Sequence, residues 1–154
     1  MRIILLILTA GLSAAVLAAT LPYDASADAK MDVQQALIAA KSSHKPVLIV
    51  FGANWCEDCR ALDRAIKRGK SAALLARSFS IVKVDVGDFD RNLDVVAAYG
   101  NPIKKGIPAA VVVSVDNKVL YATRAGELAN ARRMSETGIY DFFRRVSQGV
   151  ASGK

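Results

Sequence analysis

The chain has 154 residues, enough for one domain with a sizeable core plus a short N-terminal extra. With 53% hydrophobic residues it is too apolar to be a disordered or low-complexity chain, and two cysteines are too few for a disulfide framework. The 21 Lys and Arg against 14 Asp and Glu give a net charge of +7, yet the basic residues are dispersed among acids without interleaved aromatics, which argues against nucleic acid as a partner.

The first element is a leader. Arg2 precedes a charge-free apolar stretch from Ile3 to Ala19, followed by Pro22 and the small-residue pattern Ala25-Ser26-Ala27. Residues 1–27 are therefore expected to be an export signal, cut after Ala27 or alternatively after Ala18. A retained membrane anchor is the competing reading, because the apolar run is close to spanning length. Cleavage after Ala27 would remove Arg2 and Asp24 and leave the charge balance unchanged. Residues 28–154 form the folded domain in this reading.

Met31 to Lys41 carries apolar residues at Val33, Ala36, Leu37 and Ala40, the spacing of a helix with one buried stripe. Pro46 ends the polar turn after it, in which His44 is expected to be solvated. Val47 to Phe51 is a short, β-branched-rich strand, and Arg60 to Lys67 has helical spacing. A second helical piece spans Ser71–Arg77 after Gly69, and Phe79–Val86 alternates as a strand. Asp90 is expected to cap a helix carrying Leu93, Val96, Ala97 and Tyr99, closed by Gly100-Asn101-Pro102. Ala109–Val115 is a continuous apolar run suited to a central strand, and Asp116-Asn117 turns it into a hairpin with Lys118–Thr123. Gly126 breaks that strand, residues 127–134 read as a polar Arg-bearing loop, and a final helix from Ser135 presents Ile139, Phe142, Phe143 and Val146 inward. The predicted architecture is α/β: a four-stranded mixed sheet with helices on both faces, its first two strands parallel through a helical crossover.

Both cysteines stand in Trp55-Cys56-Glu57-Asp58-Cys59, between the first strand and its helix. A Cys-X-X-Cys pair there is a redox arrangement, because unpaired amides and the helix dipole favour a thiolate on the first sulfur. Cys56 is thus the candidate nucleophile, and Cys59, one turn inside, can attack a mixed disulfide on Cys56. Half a zinc site, a purely structural disulfide and copper(I) capture are the alternatives. Zinc lacks ligands in a chain with two Cys and one distant His44, and so short a disulfide loop stabilises little. No metal site and no cofactor is expected.

Lys45–Cys59 together with Gly106-Ile107-Pro108-Ala109, the hairpin and Gly126 resemble the thioredoxin-like family across residues 31–148. Within the family, exported members and the C-terminal periplasmic domain of the transmembrane disulfide reductase DsbD are the most similar. The resemblance implies a thioredoxin fold, a cis Ile107–Pro108 bond facing the sulfurs, backbone of Ile107 free to pair with an extended substrate, and Trp55 shielding the site. It implies an extracytoplasmic thiol–disulfide oxidoreductase acting on protein disulfides and recharged by a membrane thiol reductase; a monomer is expected. A disulfide-forming oxidant and a non-enzymatic copper-binding or chaperone module are the rival functions.

Departures from the family pattern bear on the chemistry. Val50 replaces the buried Asp that thioredoxins carry six residues before the first Cys, so the role of Lys83, which the family keeps beside that acid, is in doubt. Glu57 and Asp58 oppose a thiolate on Cys56 by like charge, which leans the pair towards electron donation. Arg64 stands where the family has a kinking Pro, and residues 101–105 lengthen the loop before Ile107.

Overall fold

The computed structural model describes residues 21–153. The apolar stretch read as an export signal or anchor lies in residues 1–20, outside the described residues; no described helix is long and apolar enough to cross a membrane.

The elements follow the expected order. They are α1 (Ala29–Ser43), β1 (Val47–Gly52), α2 (Glu57–Ile66), α3 (Gly69–Ser78), β2 (Ser80–Asp85), α4 (Leu93–Ala98), β3 (Ala109–Val113), β4 (Val119–Ala122) and α5 (Glu136–Ala151). Short 3₁₀ turns at Pro102–Lys105 and Ala131–Arg133 flank the hairpin. The sheet order is β2-β1-β3-β4. β1 runs parallel to β2, with Ile49 opposite Val82, and antiparallel to β3, with Ile49 opposite Val111. β4 completes the sheet antiparallel to β3.

Every residue of β1 and β3 is buried, as continuous apolar strands at the centre of a two-sided sheet require. Alternate side chains then serve two cores. Val47, Ile49 and Phe51 pack with Val33 and Ala40 of α1 and Val95 and Val96 of α4. Leu48 and Val50 face Leu62 of α2, Leu74 and Leu75 of α3, and Phe142 and Phe143 of α5. The 3.6-residue spacing of Ile139, Phe142, Phe143 and Val146 points one stripe of α5 at the sheet, and all four are buried.

Three local expectations are corrected. Asp90 does not cap α4: its carboxylate accepts the Asp88 N–H at 3.0 Å, while Asn92 occupies the N-cap in the left-handed region. Leu93 is exposed, and Val95 joins Val96 as the inward pair, because the helix starts later and is rotated from the phase assumed for it. Residues 127–134, read as a polar Arg-bearing loop, include the 3₁₀ turn Ala131–Arg133 and bury Leu128 and Ala131 in the α5 core. The segment ahead of α1 also packs with the domain: Tyr23, on the leader side of the Ala27 boundary, is only 3% exposed.

Candidate active site

β1 ends at Gly52 and the chain turns directly into α2, so the end of a buried strand delivers the cysteines to a helix start. Cys56 is the N-cap of α2, in extended backbone, and its Sγ accepts the Cys59 N–H at 3.1 Å. Cys56 and Cys59 form a disulfide across a Cα–Cα distance of 5.2 Å. Cys59 is fully buried and Cys56 is 5% exposed, so the outer cysteine is the one nearer solvent. That asymmetry is the geometry an entering thiol or disulfide meets.

Ile107–Pro108 is cis, and the Ile107 carbonyl oxygen lies 3.6 Å from Cys56 Sγ. In the disulfide Cys56 carries no proton, so this approach is a contact; after reduction the thiol can donate there. Trp55 is half exposed beside Cys56. Its Nε1–H donates to the Gly87 carbonyl at 2.9 Å, and its ring meets Phe89 edge-on at 6.0 Å between centroids. Phe89 holds φ +64°, an uncommon conformation for a bulky side chain. From Phe89 a cleft of about 510 Å³ runs past Leu93, Ile103 and Lys104 to Gly106. All five residues singled out from the sequence, Trp55, Cys56, Cys59, Ile107 and Pro108, thus gather at one end of the sheet. A cavity of about 600 Å³, lined by His44, Pro46 and Leu120, lies at the opposite end of β1.

Two charge arguments made from the sequence change in three dimensions. The carboxylates of Glu57 and Asp58 are not left to oppose a thiolate alone. Arg132, from the second 3₁₀ turn, pairs with Glu57 through Nη1 and gives its backbone N–H to Asp58 Oδ1 at 2.9 Å. Lys83 is not a solvated strand lysine: it pairs with Asp63, and Lys67 Nζ binds the other carboxylate oxygen at 2.8 Å. Asp63 is 8% exposed and stands four residues after Cys59, on the same side of α2. Val50 lies opposite Lys83 in the β1–β2 ladder, so the lysine keeps an acid partner that comes from the helix instead of from β1. Burial raises the Asp63 carboxyl, but hydrogen bonds and positive charge from Lys67 and Lys83 prevail, and its pKa falls below the ordinary value.

Asp63 and Arg132 were missed in the sequence. An acid one turn beyond Cys59, on the stripe that carries Leu62 and Ile66, was a readable signal for the first. Nothing local marked Arg132, whose contacts span more than 70 residues. Among the described residues no group of three or more His, Cys, Asp or Glu is placed to hold a metal ion.

A sheet of this order, a Cys-X-X-Cys pair closing a disulfide at a helix start and a cis-proline beside the outer sulfur define a thioredoxin-fold redox protein. A family model described as thioredoxin-like matches residues 28–114. The crystal structure of a disulphide isomerase from Xylella fastidiosa Temecula1 is 59% identical, covers 84% of this chain and 99% of its own, and superposes with a TM-score of 0.82. The oxidised C-terminal domain of DsbD from Neisseria meningitidis is 18% identical over 77% of this chain and 96% of its own, with a TM-score of 0.56. A DsbH oxidoreductase is also 18% identical, over 92% of both chains, with a TM-score of 0.55. Comparison with curated proteins gave no match. The chain belongs to the thioredoxin-like family.

Proposed function

We propose that this protein is an extracytoplasmic protein-disulfide oxidoreductase that reduces disulfides in other proteins through Cys56 and Cys59. The Cys56 thiolate attacks one sulfur of a substrate disulfide, forming a mixed disulfide and expelling the first substrate thiolate. Cys59, deprotonated, then attacks Cys56 Sγ, closing the intramolecular disulfide and releasing the second thiolate. The substrate gains two electrons and the protein dithiol loses them. The observation that carries this reading is the position of Cys56: a helix N-cap cysteine slightly exposed, joined to a fully buried Cys59 and 3.6 Å from the Ile107 carbonyl.

The other groups take roles around that step. Ile107 and Pro108 line the approach to Cys56, where substrate backbone can pair with the free Ile107 groups. Trp55, Phe89 and Leu93 offer apolar surface to residues flanking the substrate cysteine. Asp63, held ionised by its lysines, keeps a fixed negative charge one turn beyond Cys59 on α2. The N-terminal apolar stretch provides export, and a membrane thiol reductase returns electrons to the disulfide.

Replacing Cys59 with Ser tests the mechanism, because partners should then accumulate as mixed disulfides on Cys56. An empty trap under oxidising conditions would sink it. Direction is read from the reduction potential: roughly −270 mV supports the reductase, roughly −120 mV an oxidant. The 59% identity to a disulphide isomerase favours a second reading, in which the mixed disulfide rearranges within the substrate. Cys59→Ser separates the two, since an isomerase variant keeps activity on a scrambled substrate while net reduction is lost.

A further inference from the structure

The segment ahead of α1 is clamped to the Cys-X-X-Cys motif. Tyr23 N–H donates to Asn54 Oδ1 at 2.9 Å, and Asn54 Nδ2 donates back to the Tyr23 carbonyl at 2.8 Å, two residues before Cys56. Arg91 holds the same segment farther along, donating from Nη1 to the Ala25 carbonyl at 3.1 Å.

The clamp buries the Tyr23 ring in the same core cluster as both cysteines. Gly52 shows how close the approach is. A Cβ there would overlap the Tyr23 phenol oxygen and stand 2.9 Å from Cys59 Sγ, so oxygen and sulfur both border the space above Gly52. The ring also lies under Lys83, whose Nζ is 6.0 Å from its centroid. Burial, followed by the negative charges of Asp63 and Asp85, pushes the phenol pKa well above its ordinary value. The hydroxyl therefore keeps its proton and is a donor throughout the range in which thiols titrate.

We propose that Tyr23 completes the redox site: its hydroxyl donates a hydrogen bond to the Cys59 thiolate of the resolving step, and the functional chain retains residues 21–27. The proposal rests on the oxidoreductase reading above. Cys59 S–H loses its proton to solvent base, the thiolate is held by Tyr23 O–H, and its electron pair forms the bond to Cys56 Sγ as the substrate sulfur leaves. Tyr23 keeps its own proton throughout and acts as a positioning residue.

The test uses reduced full-length protein and an aromatic disulfide reagent, 5,5′-dithiobis(2-nitrobenzoate), in stopped flow. The first thionitrobenzoate released reports attack by Cys56, and the second reports resolution by Cys59. Tyr23→Phe keeps the ring and removes the oxygen. It is expected to leave the first phase unchanged and slow the second about tenfold or more, as loss of a hydrogen bond to a charged group predicts. The pH at which the second phase reaches half its maximum should also move upward, which a packing defect would not produce. Asn54→Ala, which frees the clamp but keeps the hydroxyl, should slow the second phase as well. A second phase within twofold of the parent in Tyr23→Phe overturns the proposal. Absence of the first phase in the parent protein, or a normal second phase in Cys59→Ser, instead overturns the oxidoreductase reading. Intact mass of the protein recovered from cells checks the chain itself: an N-terminus at or before Leu21 is expected, and one at Asp28 overturns the retention of residues 21–27.

Discussion

At the scale of single residues, the site is governed by charges whose partners come from elsewhere in the chain. Arg132 offsets the two carboxylates between the cysteines, so Arg132→Gln should make the Cys56 thiolate harder to form and move the reduction potential to a more negative value. The pair with Glu57 is half exposed, and such pairs contribute at most about 1 kcal/mol, or about 20 mV for a two-electron couple. Equilibration against a glutathione or dithiothreitol buffer reads that shift; a move to a more positive potential would contradict the assignment. Asp63 gives a pH prediction. Its carboxyl has a depressed pKa in the fold, so the stability it contributes is present above the unfolded value of about 3.9 and is lost as pH falls through the lower folded value. Asp63→Asn should cost about 1–3 kcal/mol at neutral pH by leaving Lys83 without its acid, and should flatten the acid limb of the stability curve. Urea titrations between pH 2 and pH 7 (about the span of that limb) check both outcomes.

At the scale of elements, α5 and the chain ahead of α1 hold the site from opposite faces of the sheet. Ser135 caps α5 by accepting the Gly138 N–H at 3.0 Å, and Ser135→Ala should cost about 1 kcal/mol in chemical denaturation. Phe143 is fully buried against β1 and β3, and Phe143→Ala should cost about 3–5 kcal/mol while leaving the first thiol-release phase unchanged in the folded fraction. β1 was readable as a strand because it is a short apolar run rich in β-branched residues, and the division of its side chains between two cores follows from the pleat. The phase of α4 was not. Over six residues, a helix whose cap has no side-chain hydrogen bond offers too little pattern to place its apolar face, and burial of Val95 and Val96 in the core that holds Phe51 decided it.

At the scale of the whole molecule, the redox end and the large cavity occupy opposite ends of one rigid sheet. His44 lies at the cavity end in a left-handed conformation at φ +55°, where a side chain is strained. His44→Gly should raise stability by on the order of 0.5 kcal/mol, and distance should leave the potential and both thiol-release phases unchanged. A changed potential would show that the two ends communicate.

The order of elements, the two-sided sheet and the placing of Cys56 and Cys59 at a helix start were determined by the sequence alone, because hydrophobic period, turn residues and Cys spacing are local signals. Gly106-Ile107-Pro108 could be matched to the cysteines only by resemblance, about 50 residues away. The tertiary structure alone decided which charges face the sulfurs. Arg132 reaches Glu57 and Asp58, Lys83 finds Asp63, and Tyr23 joins Cys59 beside Gly52. None of these partners is near in sequence, and an electrostatic environment depends on distance and burial, which exist only once the chain has folded.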